Sequence, residues 1–312
     1  MNTQRTSAAK RGFTLMELMV AMAITTIIVT VLVSITSIAL DTWNRSRAEI
    51  RSARQAKSMI DVMAMDFQGL VTRRGNTNEW LSVIAENQPP GPSGKISSTN
   101  ASKLIFFTSA TDRYDGKIGS ADDKGGDVSC VGYQLDYRDP ISLSGDEFQT
   151  FVLNRLLVNP DETFQQLLGK PDLTTAFTSF ATQLSQPKNF VCENVYQFSI
   201  TFQVEVTTVP ATGTTPATIV NVPVTVGRTS SGQTASSFKV NGKGIDAPVT
   251  GGIVTAEQLT SGRITAMQIA VTVISDFGID QMKRRPFTAT QQAEFLAKNS
   301  FQYSKLVQIS SM

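Results

Sequence analysis

The run Phe13–Leu40 (FTLMELMVAMAITTIIVTVLVSITSIAL) constrains this chain more than any other stretch. Twenty of its 28 residues are hydrophobic and only one, Glu17, is charged. As a helix rising about 1.5 Å per residue it reaches about 42 Å, enough to cross a bilayer core of about 30 Å. A removable secretory signal has an apolar stretch of only about 7–15 residues and a small-x-small cleavage site. Here the run is longer, and neither Ala-x-Ala nor a lipobox Cys follows it. The alternative, a helix buried in a soluble core, rarely stays apolar for so long.

Composition narrows the chemistry. The chain has 312 residues and no histidine, which removes Ser-His-Asp and Cys-His nucleophilic catalysis and imidazole-based zinc sites. Two cysteines alone cannot build a zinc site or an iron–sulfur cluster. No G-x-x-x-x-G-K phosphate loop and no G-x-S-x-G elbow is present. Carboxylate, Ser-Lys and cofactor chemistry stay open on composition; the expectation of a non-enzyme without a cofactor rests on the family resemblance given below. With 28 Lys+Arg against 26 Asp+Glu, a net charge of +2 gives no reason to expect nucleic acid as a partner.

The segment before the run, MNTQRTSAAKRG, holds Arg5, Lys10 and Arg11 and no acid. The junction reads Lys10-Arg11-Gly12-Phe13-Thr14-Leu15-Met16-Glu17-Leu18. In this string the sequence resembles the type IV pilin and type II secretion pseudopilin superfamily. The resemblance implies a leader ending at Gly12, cut by a prepilin peptidase, and a new N-terminal Phe13 that is then methylated. It implies that Glu17 of one subunit pairs with the Phe13 amine of a neighbour as a filament grows. A carboxylate in a membrane segment needs such a partner, or else it snorkels to the headgroup level. The implied partners are other pilins, the peptidase, the inner membrane and the assembly machinery. The implied location is the inner membrane, with a cytoplasmic N-terminus and the head outside the cytoplasm.

Charge counting points the other way. Three cations precede the run, whereas Arg45, Arg47, Arg51, Arg54 and Lys57 follow it. The positive-inside rule would keep the large C-terminal part in the cytoplasm. The family motif requires a cytoplasmic N-terminus, and that expectation is preferred. Without residues 1–12 the chain carries 25 cations against 26 acids, so the positive excess belongs to the leader.

Beyond the run, Ala53, Ala56, Ile60, Met63, Phe67 and Leu70 alternate three and four apart, which lays them on one helical stripe. Arg54, Lys57, Asp61 and Asp66 are expected on the opposite face. The spacing predicts a stem helix from Phe13 to about Val71, with stop chemistry at Gly75 and Asn76. The stripe is expected to pack on a sheet; a free coiled coil is the alternative, with about three heptads at hand. The division expected is a leader (1–12), a membrane half (13–40), an amphipathic half (41–75) and a globular head (76–312).

In the head the period falls to two. Strands are predicted at Lys103–Ser109, Val128–Tyr137, Thr150–Val158, Val195–Val206, Ile219–Val226, Arg263–Ser275 and Gln302–Ser310. Short helices are predicted at Asp161–Leu168 and Ala289–Lys298. The fold class expected is α+β: a long N-terminal stem helix and an antiparallel β-sheet head. Glu86–Ser98, Thr207–Pro216 and Gly227–Gly252, rich in Pro, Gly, Ser and Thr, are expected as surface loops. Around Glu193-Asn194-Val195 and the Arg263–Ser275 strand the head resembles large minor pseudopilins of the J and W classes, and also the Verru_Chthon cassette protein C group. That implies a minor subunit of a type IV pilus-like or type II secretion filament. Alternatives are an adhesin or substrate-recognition minor pilin, and an uncleaved, signal-anchored sensor or enzyme outside the cytoplasm.

Three further features carry candidate chemistry. Asp112, Asp115, Asp122, Asp123 and Asp127 lie in a Gly-rich stretch that could hold calcium through carboxylate oxygens, although EF-hand spacing is not met. The alternative is a solvated acidic loop. Cys130 and Cys192 could form a disulfide in an oxidising compartment, or stay as buried thiols. Lys283-Arg284-Arg285-Pro286 is a basic run, expected as a solvated loop and conceivably phosphate-binding.

Overall fold

The computed structural model describes residues 14–86, 100–109, 127–141, 148–209, 217–227, 232–252, 254–285 and 287–309. The chain divides into two units, Met1–Ile50 and Arg51–Met312. One helix, α1 (Leu15–Gln68), contributes to both.

In the first unit, α1 is the long apolar helix that the run predicts. Every described residue from Thr14 to Arg47 is exposed, and the helix is long and apolar enough to cross a membrane. Five hydroxyls of its apolar run bond within the helix. Thr25, Thr26, Thr30, Ser34 and Thr36 each donate to the carbonyl four residues earlier, at 2.8–3.0 Å. Such back-bonding lets Thr and Ser sit in an apolar environment without a stranded donor.

The second unit begins with the amphipathic part of α1 and continues into two sheets. The first has seven strands in the order β10-β9-β1-β2-β3-β4-β5, and the second six in the order β11-β8-β7-β6-β12-β13. The strands are β1 (Glu79–Glu86), β2 (Asn100–Thr108), β3 (Ser129–Arg138), β4 (Thr150–Val158), β5 (Phe190–Glu193), β6 (Val195–Val209), β7 (Thr218–Val226), β8 (Gln233–Ala235), β9 (Ser237–Asn241), β10 (Gly244–Asp246), β11 (Val249–Thr250), β12 (Arg263–Ile274) and β13 (Ser300–Gln308). All pairings are antiparallel except β7 with β8. The α+β class with a sheet head is therefore the fold.

Between the sheets lies the main core. Alternate residues of β6 (Phe198, Ile200, Phe202, Val204) and β12 (Met267, Ile269, Val271, Val273) point into it. This is the period-two pattern of strands with one buried face. From the other side come Leu104, Phe106, Val131, Leu135 and Leu153, with Ala56, Met59, Ile60, Met63, Ala64 and Phe67 of α1. Phe67 stacks on Phe106 with centroids 4.1 Å apart, and Phe202 on Phe238 at 4.0 Å.

The central strands of the first sheet, β1 to β4, are largely buried on both faces. Its outer face (Ile105, Phe107, Cys130, Leu156, Val158) is covered by Leu167, Leu173, Phe177, Phe180 and Leu184. These belong to a helical crossover of α2 (Pro160–Glu162), a π turn at Thr163–Leu167, α3 (Leu173–Phe177) and α4 (Ala181–Leu184). Gly132 of β3 makes the crossover fit: a Cβ there would stand 2.3 Å from the Phe177 ring. The remaining helices are α5 (Ala256–Thr260), α6 (Asp276–Arg284) and α7 (Ala289–Asn299). Each of the three is capped by a Thr or Ser side chain at its start.

Five expectations need correction. The helix ends at Gln68, before Gly75 and Asn76, because β2 closes over its end. Gly69 sits so close that a Cβ would lie 2.7 Å from Thr108 Oγ1, and Leu70 bridges to Thr108. Asp66, expected on the solvent face, is buried. Of the loop expected at Gly227–Gly252, residues 228–231 lie outside the described residues, while Gln233–Thr250 forms β8 to β11, with Phe238, Val240 and Ile245 in the core, and β9 pairs with β1. Thr207–Val209 extends β6. The basic residues Lys283 and Arg284 close the last turn of α6, where cations suit the helix dipole.

Candidate functional site

Gly12 and Phe13 lie outside the described residues. Glu17 stands in the first turn of α1 and is exposed. Its Oε2 accepts from the Thr14 backbone N–H and from Thr14 Oγ1, both at 2.9 Å. In return, the Glu17 N–H donates to Thr14 Oγ1 at 3.3 Å. This reciprocal pair is a capping box, with Thr14 as N-cap and Glu17 at the third helical position. The pattern Thr14-x-x-Glu17 is the sequence signal for this box. Glu17 thus has a task within its own chain, while Oε1 takes no part in the box.

Within the second unit, three polar contacts fix the amphipathic part of α1. At its end, Asp66 is 4% exposed and takes Arg155 Nη2 at 2.7 Å and Nε at 2.8 Å. Tyr133 Oη donates to the same carboxylate at 2.5 Å, and Thr108 Oγ1 to the Asp66 carbonyl at 2.7 Å. Burial and the Asp66 charge push the Tyr133 phenol well above its ordinary pKa. Midway, Lys305 Nζ meets Asp61 at 2.6 Å and holds its carboxyl below the usual value. At the unit's start, Arg51 bridges Glu193 at 2.7 Å and Asp276 at 2.9 Å. Asn194 supports that end from a left-handed φ of 61°; its Nδ2 donates to Asp276 at 2.6 Å and its Oδ1 accepts from Thr150. The Glu193-Asn194-Val195 segment singled out in the sequence is therefore a clasp for the helix.

The disulfide is excluded within one chain. Cys130 and Cys192 are both free and buried. Strand β4 lies between them, with Cys130 opposite Val158 and Cys192 opposite Leu153. Two strand spacings alone are about 9.5 Å, beyond disulfide reach, and the register offset adds more. The two thiols also face different cores. Burial raises the Cys130 thiol well above its ordinary value, and burial with the Glu193 charge pushes Cys192 up to about 12.

Of the five candidate calcium carboxylates, Asp112, Asp115, Asp122 and Asp123 lie outside the described residues. Asp127 is exposed ahead of β3. Among the described residues no group of three or more His, Cys, Asp or Glu side chains is placed to hold a metal.

A family model, the prokaryotic N-terminal methylation motif, matches residues 7–33. No curated protein and no solved structure matches the chain. The matched segment contains the Gly12-Phe13 junction, Glu17 and the first turns of the exposed apolar helix. On this ground the chain is supported as a type IV pilin-like precursor, with an apolar N-terminal helix consistent with membrane anchoring.

Proposed function

We propose that this protein is a minor pilin or pseudopilin, a structural subunit of a type IV pilus-like or type II secretion filament. The observation that carries the reading is the methylation motif at residues 7–33 on a helix whose residues from Leu15 to Arg47 are all exposed. A prepilin peptidase cuts after Gly12, Phe13 is methylated, and the apolar half of α1 holds the subunit in the inner membrane. The head lies outside the cytoplasm. Glu17 caps its own helix and offers its remaining oxygen to the Phe13 amine of a neighbour. The second unit, with two sheets and long insertions, is bulky beside a filament core, which favours a minor position over the shaft.

The test is the mature mass. In cells with a prepilin peptidase, the chain is expected to lack residues 1–12 and to carry one extra methyl group on Phe13. Recovery of the intact, unmethylated chain from such cells would overturn the reading and favour a signal-anchored protein of another kind.

A further inference from the structure

We infer that the head carries a binding site for a phosphoryl group in a basic cleft formed by three turns. The cleft has a volume of about 190 Å³. One wall is the segment after α1 (Thr72, Arg73, Arg74), a second the β9–β10 turn (Asn241 to Gly244), and the third the α5–β12 turn (Thr260 to Arg263). Four cations, Arg73, Arg74, Lys243 and Arg263, line it, and among the described residues no carboxylate does.

The cleft is built by close approaches. Gly75 donates to the Gly242 carbonyl at 2.8 Å, and a Cβ on Gly242 would stand 2.5 Å from Asn76. Gly244 has a φ of +137°, and a Cβ there would lie 1.9 Å from the Thr260 carbonyl oxygen. A Cβ on Gly262 would be 2.6 Å from Val204. Glycine is thus required where the three turns meet, and the turns hold the cations at one opening.

Three of the four charges on this opening have no counter-charge among the described residues. Arg73, Lys243 and Arg263 are exposed and make no ion pair among the described residues. Glu205, opposite Arg263 in the β6–β12 ladder, is not paired with it. Elsewhere in the head, Arg51, Lys103, Arg155, Lys239, Arg284 and Lys305 all have carboxylate partners. Like charges gathered without a counter-charge repel, and a multiply charged anion relieves that repulsion. Guanidinium forks bind two oxygens of one phosphoryl group, and lysine adds a point charge. The site is independent of the role of α1 in assembly.

Calorimetry on the full chain in neutral detergent tests the inference, with inorganic phosphate and a glycerophosphodiester as probes and acetate at equal ionic strength as control. Saturable binding of either probe, with none of acetate, is expected. Phosphate alone would identify a free phosphate or monoester ligand; the diester would identify a lipid headgroup or surface polymer. Lys243→Ala and Arg263→Ala should each weaken binding at least tenfold with unchanged melting temperatures, whereas Lys283→Ala should not. Absence of saturable binding, equal binding of acetate, or equal loss in Lys283→Ala would overturn the site.

Discussion

Arg155 of β4 closes a two-point contact on Asp66 of α1, with both carboxylate oxygens engaged at 2.7 and 2.8 Å. Tyr133 supplies a third donor, so the one buried charge on the helix is fully answered by the sheet. Arg155→Leu would strand the carboxylate and should destabilise the second unit by about 3–5 kcal/mol. Replacing both residues with Leu should recover much of the loss, since a buried pair is often matched by apolar packing. Denaturant unfolding of the full chain in detergent, followed by tryptophan emission, measures both.

Gly132 gives a steric prediction. With a Cβ 2.3 Å from the Phe177 ring, Gly132→Ala forces the crossover off the sheet. A loss of about 1–3 kcal/mol is expected. Gly132→Ala combined with Phe177→Leu should be less damaging than Gly132→Ala alone. Additive losses in thermal melts would count against the contact.

The thiols predict a pH dependence. Cys192 titrates near 12 in the folded chain against an ordinary value of 9.0, and Cys130 shifts the same way. The folded state holds protons that the unfolded state releases. The stability this represents is complete below about pH 9 and declines as pH rises toward 12. The melting temperature should fall over that window, less steeply in a Cys192→Ala chain. Native protein should react slowly with iodoacetamide at pH 8, and non-reducing mass analysis should show no intrachain disulfide.

Thr14 predicts a local effect. Thr14→Ala removes the hydroxyl that both donates to Glu17 and accepts from its N–H. Loss of an N-cap should speed amide exchange at Leu15–Leu18 about fivefold, without altering exchange in α1 beyond Arg51. Unchanged exchange at Leu15–Leu18 would mean that the box does not hold in the detergent-bound chain.

Much of the architecture was legible because burial on one face leaves a period. Strands β6 and β12 fall within a few residues of the predicted bounds, since their outward positions are polar, and β4 matches Thr150–Val158 through its β-branched and apolar content. By contrast, β8 to β11 were hidden. Each has five residues or fewer, among Gly, Ser and Thr, too short to display a period. The place of β9 comes from pairing with β1, which is distant in sequence. At the candidate site, Glu17 is legible through its motif, whereas its reciprocal bonding with Thr14 shows only once the helix start is placed.

By itself, the sequence determined the apolar helix, the methylation motif within residues 7–33, and the strands with a polar face. These depend on neighbours along the chain, where helical and strand periods are written directly. The tertiary structure decided what depends on residues far apart in sequence. It turned Asp66 inward to meet Arg155, set β4 between Cys130 and Cys192, and drew Arg73, Lys243 and Arg263 to one cleft. A charge shows no sign in sequence of whether its counter-charge waits 89 residues away, because only the closed fold brings the two within hydrogen-bonding distance.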